Sequence, residues 1–430
     1  MTHFGIISVA SAGPLNTMLP LGQELQRRGH QVTLIAIADA ATAAEAAGIA
    51  FRAVGQTEFP LGSVRAIAAE LGELQGWAAI RYTSQALSRM ASVLLRDAPT
   101  IAQELGIEAL LVNQGAFAGG TLADRLQIPF ITVCSAAVMN REPGVPPCGI
   151  GWMYQPAWWA RWRNRVGYWV SDLLVYPLRQ TVAQYRRDWQ LPRYPKPDAE
   201  NSSLAQISQV PAAFEFPRPA APPQLHFTGP FHTAANRAPI PFPWDGLSCD
   251  RPLVYASMGT LQNRLLWVFE AIAAACADLE VQLVLSLGGA TAPEALPPLP
   301  GQPLVVAYAP QLELLQQTTL AIVHAGMNTT MECLMQGVPM VAIPVTNDQP
   351  GVAARIVWSD VGERVPLNRL NPQKLRRAVQ TVLTDPVYKE NALRLQAACR
   401  ASGGVERAAD IVERAIATGQ PVLANPPLNY

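Results

Sequence analysis

The sequence predicts an α/β fold made of two doubly wound domains, each built on a parallel sheet covered by helices. In the first half, short apolar runs such as FGIISVA and QVTLIAIA alternate with stretches whose apolar residues recur at helical spacing. The second half repeats this alternation, with PLVYASMGT, VQLVLSLGG and LAIVHAG as strands. A chain of 430 residues that is 50% hydrophobic is too long for one core and suits two.

A proline-rich segment predicts where the first domain ends. Prolines crowd the chain between Val210 and Leu247, and neither a helix interior nor a central strand tolerates them. Ligands of open parallel sheets bind beyond the carboxyl ends of the strands, so two sheets facing across a cleft can each hold one substrate. We expect an N-terminal acceptor-binding domain at 1–215, a linker at 216–247, a C-terminal donor-binding domain at 248–405 and a tail at 406–430 that packs back on the N-terminal domain.

Composition argues against several classes of protein. Lysine plus arginine and aspartate plus glutamate number 32 each, so no net field would hold a nucleic acid. The loop SVASAGPLN lacks the G-x-G-x-x-G pattern of a dinucleotide-binding oxidoreductase. The six cysteines have no metal-ligand or redox spacing, the N-terminus does not resemble a signal peptide, and no apolar run reaches about 18 residues. We therefore expect a cytoplasmic protein without metal.

The segment around LAIVHAGMNTTMECLM predicts an anion site. A strand ends at His324, and a helix begins at about Met327, directly after Gly326. The first N–H groups of such a helix have no partner within it and carry a partial positive charge, which favours a diphosphate. Glu332 lies one turn further on, where its carboxylate can accept the two hydroxyls of a ribose.

This region resembles the donor-binding signature of the nucleotide-sugar-dependent glycosyltransferases, the UDP-glycosyltransferase family. YAPQ, HAGMNTTMECLMQGVPMVAIP and NDQPGVAARI carry the resemblance. It implies a GT-B fold, two Rossmann-like domains facing across a cleft, and a UDP-sugar as donor with no other cofactor. Tyr308 stands where many relatives have tryptophan. The donor residues that the resemblance implies are Gln311 for the uracil, His324 for the diphosphate, Asn328 and Thr329 for the phosphates, Glu332 for the ribose, Asp348 with Gln349 for the sugar hydroxyls, and Ser257, Gly259 and Thr260 in a second phosphate-side loop.

A narrower resemblance concerns the acceptor. MNREPGVP, LAQISQ, ASMGTLQ and DQPGVAARIV are similar to segments of the bacterial zeaxanthin glucosyltransferases. This implies inverting, metal-independent transfer of a hexose such as glucose to a lipophilic acceptor, a hydroxylated carotenoid or another terpenoid.

The residues that normally supply the catalytic base are absent. The family has a histidine in a segment like GHLNPMLPL, and the matching position here is Pro14 in GPLNTMLPL. The aspartate that would orient this histidine is replaced by Asn113, at the end of EALLVNQ. Glu58 and Glu142 lie on loops and could serve as bases if burial raised their pKa.

Three alternatives to a new base remain open at this point. The acceptor could be an ionised carboxylate, which would give an ester without proton abstraction. Electrostatic stabilisation of the leaving diphosphate could supply most of the rate. The chain could also be a non-catalytic homologue that binds a UDP-sugar and a lipophile.

Residues 152–189 form a stretch that is rich in tryptophan and arginine. Indole rings and arginines together suit the interface of a bilayer, which predicts peripheral membrane contact, although the same side chains could instead line the acceptor cleft or pack the core. The residues are Trp152, Trp158, Trp159, Trp162, Trp169 and Trp189, interleaved with Arg161, Arg163, Arg165, Arg186 and Arg187.

Overall fold

The computed structural model describes residues 1–73, 76–231, 240–248, 250–259, 265–289 and 291–424, with the backbone alone at 72–73 and 76–80. Strands and helices alternate along the chain and form two parallel sheets covered by helices, so the predicted α/β class is confirmed. None of the helices in this part of the chain combines the length and apolar character needed to cross a bilayer.

The first sheet has seven parallel strands in the order β3-β2-β1-β4-β5-β6-β7. Most of its strand residues are buried because helices cover both faces. The strands are β1 (His3–Ile7), β2 (Gln31–Ala36), β3 (Ala50–Ala53), β4 (Ala109–Asn113), β5 (Phe130–Cys134), β6 (Gln206–Ser208) and β7 (Leu225–Phe227). The helices are α1 (Ala12–Arg27), α2 (Ala41–Ala46), α3 (Ser63–Glu73), α4 (Gly76–Glu104), α5 (Gly119–Leu126), α6 (Trp158–Leu174) and α7 (Tyr176–Asp188).

The second sheet has six parallel strands in the order β10-β9-β8-β11-β12-β13. Its strands are β8 (Leu253–Ser257), β9 (Gln282–Ser286), β10 (Leu304–Val306), β11 (Leu320–Val323), β12 (Met340–Ala342) and β13 (Gly362–Arg364). Its helices are α8 (Leu266–Cys276), α9 (Gln311–Leu315), α10 (Met327–Met335), α11 (Gln349–Trp358), α12 (Pro372–Thr384) and α13 (Pro386–Ala401). Short 3-10 turns lie at Ala38–Ala40, Pro197–Glu200, Ala212–Phe214, Trp244–Gly246, Pro293–Ala295 and Leu367–Arg369.

The segment predicted as a linker, 216–247, begins too early, because strand β7 lies inside it. This strand pairs with β6 through Gln206 and Leu225, at the edge of the first sheet. Its three residues contain no proline, and an edge strand needs a partner on one side only. The N-terminal domain therefore extends beyond residue 215, the end that the proline content predicted.

The end of the chain contacts the N-terminal domain. Helix α14 (Gly404–Thr418) packs against α1, where the Arg28 guanidinium lies 2.6 Å from the Asp410 carboxylate and 2.7 Å from that of Glu413. After this helix, the Val422 N–H donates to the Leu204 carbonyl at 2.8 Å. The C-terminal segment thus covers part of the first domain.

A buried ion pair joins the second domain to the segment that connects β6 and β7 of the first sheet. The Arg355 Nε on α11 donates to the Glu215 carboxylate at 3.0 Å, and its guanidinium also stacks over the Phe216 ring. Both charged side chains are almost fully buried, and the buried Arg218 Nε also lies 3.4 Å from the Glu215 carboxylate, so two guanidinium groups compensate this carboxylate. This pair holds the β6–β7 connection of the first domain against α11 of the second domain.

Candidate functional site

His324 lies at the carboxyl end of β11, between two glycines that leave room for its ring. A Cβ at Gly259 would lie 2.7 Å from the His324 Cε1, and a Cβ at Gly326 would lie closer still to Nε2. Gly259 also has a φ of +72°, which side chains rarely adopt. Larger residues at either position would displace the imidazole. Thr260, which follows in the predicted phosphate-side loop, lies outside the described residues.

Helix α10 begins immediately after this histidine. Ala325 has a φ of +61°, which turns the chain sharply, and Gly326 is the N-cap of the helix. The first helical hydrogen bond runs from the Thr330 N–H to the Gly326 carbonyl at 3.0 Å. The N–H groups of the residues between them therefore point out of the helix start, as an anion site requires.

The His324 imidazole is neutral in the free protein. Burial lowers its pKa from 6.5 to about 4. Its Nδ1 is buried, and the nearby Ser257 backbone opposes this shift only in part. A neutral ring beside an anion site can donate one N–H without the cost of desolvating a positive charge.

This depressed pKa predicts that His324 lowers stability in acid. The unfolded chain binds a proton at this group below about pH 6.5, whereas the folded chain binds it only below about pH 4. Stability should therefore fall as the pH drops through this window. Thermal unfolding at pH 7 and pH 5 measures the effect, and we expect a smaller loss for His324→Gln than for the wild type. An equal loss in both proteins would contradict the assignment.

Three side chains form a hydrogen-bonded chain behind α10. The Tyr255 hydroxyl donates to the Gln311 Oε1 at 2.8 Å, and the Gln311 Nε2 donates to the Glu332 carboxylate. Glu332 is buried, with only 2% of its surface exposed. The structure thus brings the predicted uracil and ribose residues together, with Tyr255 as a support that sequence reasoning missed.

Asp348 and Gln349 lie at the start of α11, beside the first domain. The Asp348 carboxylate accepts the Ala137 N–H at 3.1 Å, and burial raises the pKa of this group. The Gln349 Oε1 accepts the N–H groups of Val345 and Thr346 at 2.9 and 3.0 Å. These bonds hold the loop before α11 and fix the orientation of both side chains.

Asn328 connects the two domains. Its Nδ2 donates to the Gly13 carbonyl at 2.8 Å, while its Oδ1 accepts from the Gln209 amide at 2.8 Å and from the Thr17 hydroxyl at 3.4 Å. The Asn328 amide, which the resemblance assigned to the phosphates, therefore already has hydrogen-bond partners in the first domain. The neighbouring Thr329 is partly exposed.

The two positions of the usual catalytic pair are occupied by structural residues. Pro14 lies in the first turn of α1, where a missing N–H costs little. Asn113 is buried at the end of β4, donates to the Ser135 hydroxyl at 2.7 Å and accepts the Gly115 N–H at 3.0 Å. Neither residue can remove a proton from an acceptor.

Both loop carboxylates that were predicted as candidate bases have hydrogen-bond partners in the structure. Glu58 is paired with Arg96, and this hydrogen bond lowers the Glu58 pKa instead of raising it. Glu142 is buried, but its carboxylate accepts the Ala220 N–H at 3.0 Å and thereby holds the chain after Phe216. The expectation for Glu58 required a raised pKa and is wrong, whereas Glu142 as a base stays a prediction, with one carboxylate oxygen bound to the Ala220 N–H.

A small apolar pocket of about 70 Å³ opens at the carboxyl ends of β1, β2 and β4, and sequence reasoning did not find it. Its walls come from distant elements, mainly the strand ends and helices α4 and α7, so no contiguous motif marks it. None of the lining residues carries a charge. They are Ile7, Ser8, Val9, Ala10, Ile35, Ala36, Ile37, Val54, Leu87, Met90, Ala91, Leu94, Gly115, Ala116, Phe117, Ala118 and Leu178. Across the described residues, no cluster of three His, Cys, Asp or Glu side chains is arranged to hold a metal ion.

Comparison with known proteins gives consistent results. Residues 158–401 match the family model described as UDP-glucoronosyl and UDP-glucosyl transferase. The chain is 31% identical over 429 residues to the zeaxanthin glucosyltransferase of Pantoea ananas, covering 99% of this chain and 98% of that protein. It is also 31% identical over 429 residues to the zeaxanthin glucosyltransferase of Pseudescherichia vulneris, covering 98% of this chain and all of that protein.

Solved structures support the same fold. The calicheamicin glycosyltransferase CalG4 superposes with a TM-score of 0.76 at 22% identity, over 98% of this chain and 100% of that one. The glycosyltransferase VinC, solved in complex with dTDP, gives a TM-score of 0.71 at 20% identity, over 97% and 100% of the two chains. The expected arrangement of two Rossmann-like domains is confirmed.

Proposed function

Because the chain belongs to the UDP-glucoronosyl and UDP-glucosyl transferase family, and is therefore a glycosyltransferase that uses a nucleotide sugar, we propose that it moves glucose from UDP-glucose to a hydroxylated lipophile. The transfer inverts the sugar carbon and uses no metal. The observation that carries this proposal is the arrangement of His324 and the start of α10 on one side of the cleft, with an uncharged apolar pocket in the other domain.

On the donor side, each group has a defined partner. The N–H groups at the start of α10 and the neutral His324 ring hold the diphosphate, and Ser257 and Gly259 let the backbone approach it. Glu332 accepts the ribose hydroxyls. When the donor binds, the Gln311 side chain exchanges its hydrogen bond with Glu332 for one with the uracil. Asp348 and Gln349 bind the hydroxyls of the hexose.

On the acceptor side, the pocket selects an uncharged molecule. Its lining contains no lysine or arginine, so an acceptor carboxylate would lose its hydration there without a compensating charge. We therefore favour a hydroxyl acceptor, and hence a glycoside, over an ester. The acceptor class is a hydroxylated carotenoid or related terpenoid, as in the names of the two relatives.

The rate comes mainly from the leaving group. As the bond from the sugar to the diphosphate breaks, negative charge develops at the start of α10, where the helix dipole and the His324 N–H stabilise it. Pro14 and Asn113 stand in place of the catalytic histidine and its aspartate. The acceptor hydroxyl therefore reacts without a positioned base, and turnover is slow. We place this activity in the cytoplasm, where the free thiols Cys134, Cys148, Cys276, Cys333 and Cys399 would stay reduced.

The test is a transfer assay with UDP-glucose and zeaxanthin, using β-carotene, which has no hydroxyl, as the blank. We expect hexosides of zeaxanthin, and a carboxylated carotenoid assayed in parallel should give at most a trace of an alkali-labile glucose ester. Ala91→Phe, which adds a ring inside the pocket, should reduce transfer at least tenfold without changing UDP affinity. Ala66→Phe on the exposed face of α3 is the matched control. Bound UDP-glucose that is neither transferred nor hydrolysed across an acceptor panel would instead indicate a binding homologue.

A further inference from the structure

Helix α6 exposes its large apolar side chains. Trp158 is 75% exposed, Trp162 58% and Trp169 61%, and Val166 and Leu173 are exposed at the same helical spacing. These residues recur at intervals of three or four, so they form one continuous stripe along the helix. A stripe of this kind normally faces a core, and contiguous exposed apolar surface of this size usually marks a binding surface.

The side of α6 that faces the protein carries small or polar residues. Asn164 is fully buried, and its Nδ2 donates to the Pro143 carbonyl at 3.1 Å. A Cβ on Gly167 would lie 3.0 Å from the Trp152 ring and 3.1 Å from Pro147, so this helix packs very close to the loop beneath it. The usual arrangement of an amphipathic helix is therefore reversed in α6. Its small and polar residues pack against the domain, and its exposed tryptophans face outward.

The charges beside the stripe are basic. Arg161 and Arg165 are exposed, and the Arg165 guanidinium lies over the Trp162 ring at 4.8 Å. The only carboxylate of α6, Asp172, is already paired with Arg141 and Arg179. The exposed face thus combines indole rings with positive charge, which complements a surface of anionic headgroups.

The stripe lies next to the acceptor pocket. Helix α6 contacts α4 and α7, and these two helices supply Leu87, Met90 and Leu178 to the pocket wall. A lipophile that leaves a bilayer at α6 therefore has a short path to the pocket.

We propose that the outer face of α6 docks on the anionic surface of a bilayer and that the acceptor enters the pocket from that bilayer. This inference rests on the proposed function for its lipophilic acceptor. The tryptophan rings lie at the headgroup level, and Arg161 and Arg165 contact lipid phosphates.

Vesicle co-sedimentation of the full-length protein tests the docking surface. Vesicles of phosphatidylcholine alone are compared with vesicles that also contain phosphatidylglycerol. The variant Trp158→Ser, Trp162→Ser, Trp169→Ser should bind the anionic vesicles at least tenfold more weakly than the wild type. The control variant Trp244→Ser, Trp267→Ser removes exposed tryptophans elsewhere and should bind normally.

The arginines test the electrostatic part separately. Arg161→Gln with Arg165→Gln should weaken binding to anionic vesicles by about fivefold for each charge removed and leave binding to neutral vesicles unchanged. Circular dichroism and UDP affinity confirm that each variant is folded. With acceptor dissolved in detergent, the tryptophan variant should transfer sugar at the wild-type rate, whereas acceptor held in vesicles should be used at least tenfold more slowly.

Two results would overturn the docking proposal. One is equal vesicle binding by the wild type and the tryptophan variant. The other is a wild-type dimer that the tryptophan variant converts to monomer, because the stripe would then be a contact between two copies of the chain. Failure of transfer even from detergent would instead contradict the proposed function and leave the vesicle result intact.

Discussion

Replacing Glu332 with glutamine is expected to weaken UDP binding by about 10- to 100-fold. A hydrogen bond to a charged group contributes roughly 1.5–3 kcal/mol, and the buried Glu332 carboxylate is the group we assign to the ribose hydroxyls. Glutamine keeps the size of the side chain but removes the charge and one acceptor oxygen. Calorimetric titration with UDP measures the change. Glu313→Gln, on the exposed surface of α9 in the same domain, is the matched control and should bind as the wild type does.

A nucleotide without ribose hydroxyls separates this contact from a general loss of structure. The 2′,3′-dideoxy analogue of UDP should bind the wild type about 10- to 100-fold more weakly than UDP does. Glu332→Gln should bind the two nucleotides with similar affinity, because the carboxylate that would contact the ribose hydroxyls has been removed. If the variant discriminated between them as strongly as the wild type, Glu332 would not be the ribose residue.

Restoring the missing catalytic histidine and its aspartate partner is expected to raise the transfer rate. A positioned general base contributes about 10²- to 10⁴-fold, so Pro14→His combined with Asn113→Asp should increase kcat with a hydroxyl acceptor by at least tenfold. Pro14 lies in the first turn of α1, where histidine adds only a free N–H. The Ser135 hydroxyl, which now accepts from Asn113, can donate to an aspartate instead.

Controls for this pair distinguish catalysis from binding. Pro14→Ala with Asn113→Asp introduces no imidazole and should not increase the rate. In the restored enzyme, kcat should fall as the pH drops below about 6.5, because a protonated imidazole accepts no proton. UDP affinity should stay at the wild-type value. A rate no higher than that of the wild type, in a folded protein that binds UDP, would show that another group already removes the proton.

The residues proposed for the donor could be predicted to lie together because they are almost contiguous in the sequence. His324, Gly326 and Glu332 lie on one strand end and the helix that follows it, and local geometry brings them together. The interdomain bonds of Asn328 could not be predicted in this way. Its partners Gly13 and Gln209 are far away in the chain, and only the packing of the two domains brings them to it.

The apolar pocket proposed for the acceptor and the domain boundary were harder to predict for a related physical reason. The apolar pocket is built from single residues on many elements, each of which looks like an ordinary core residue in the sequence. Burial also depends on partners that a sequence pattern does not show, as the Glu142 contact with Ala220 illustrates. Strand β7 was missed because three residues between prolines give no periodic signal.

The most direct test of the central claim compares UDP with UMP by calorimetric titration of the wild-type protein. If the start of α10 and His324 hold the diphosphate, UDP binds saturably with one site per chain. UMP, which lacks the second phosphate, then binds at least tenfold more weakly. Equal affinity for the two nucleotides, or no binding of either, would contradict the account.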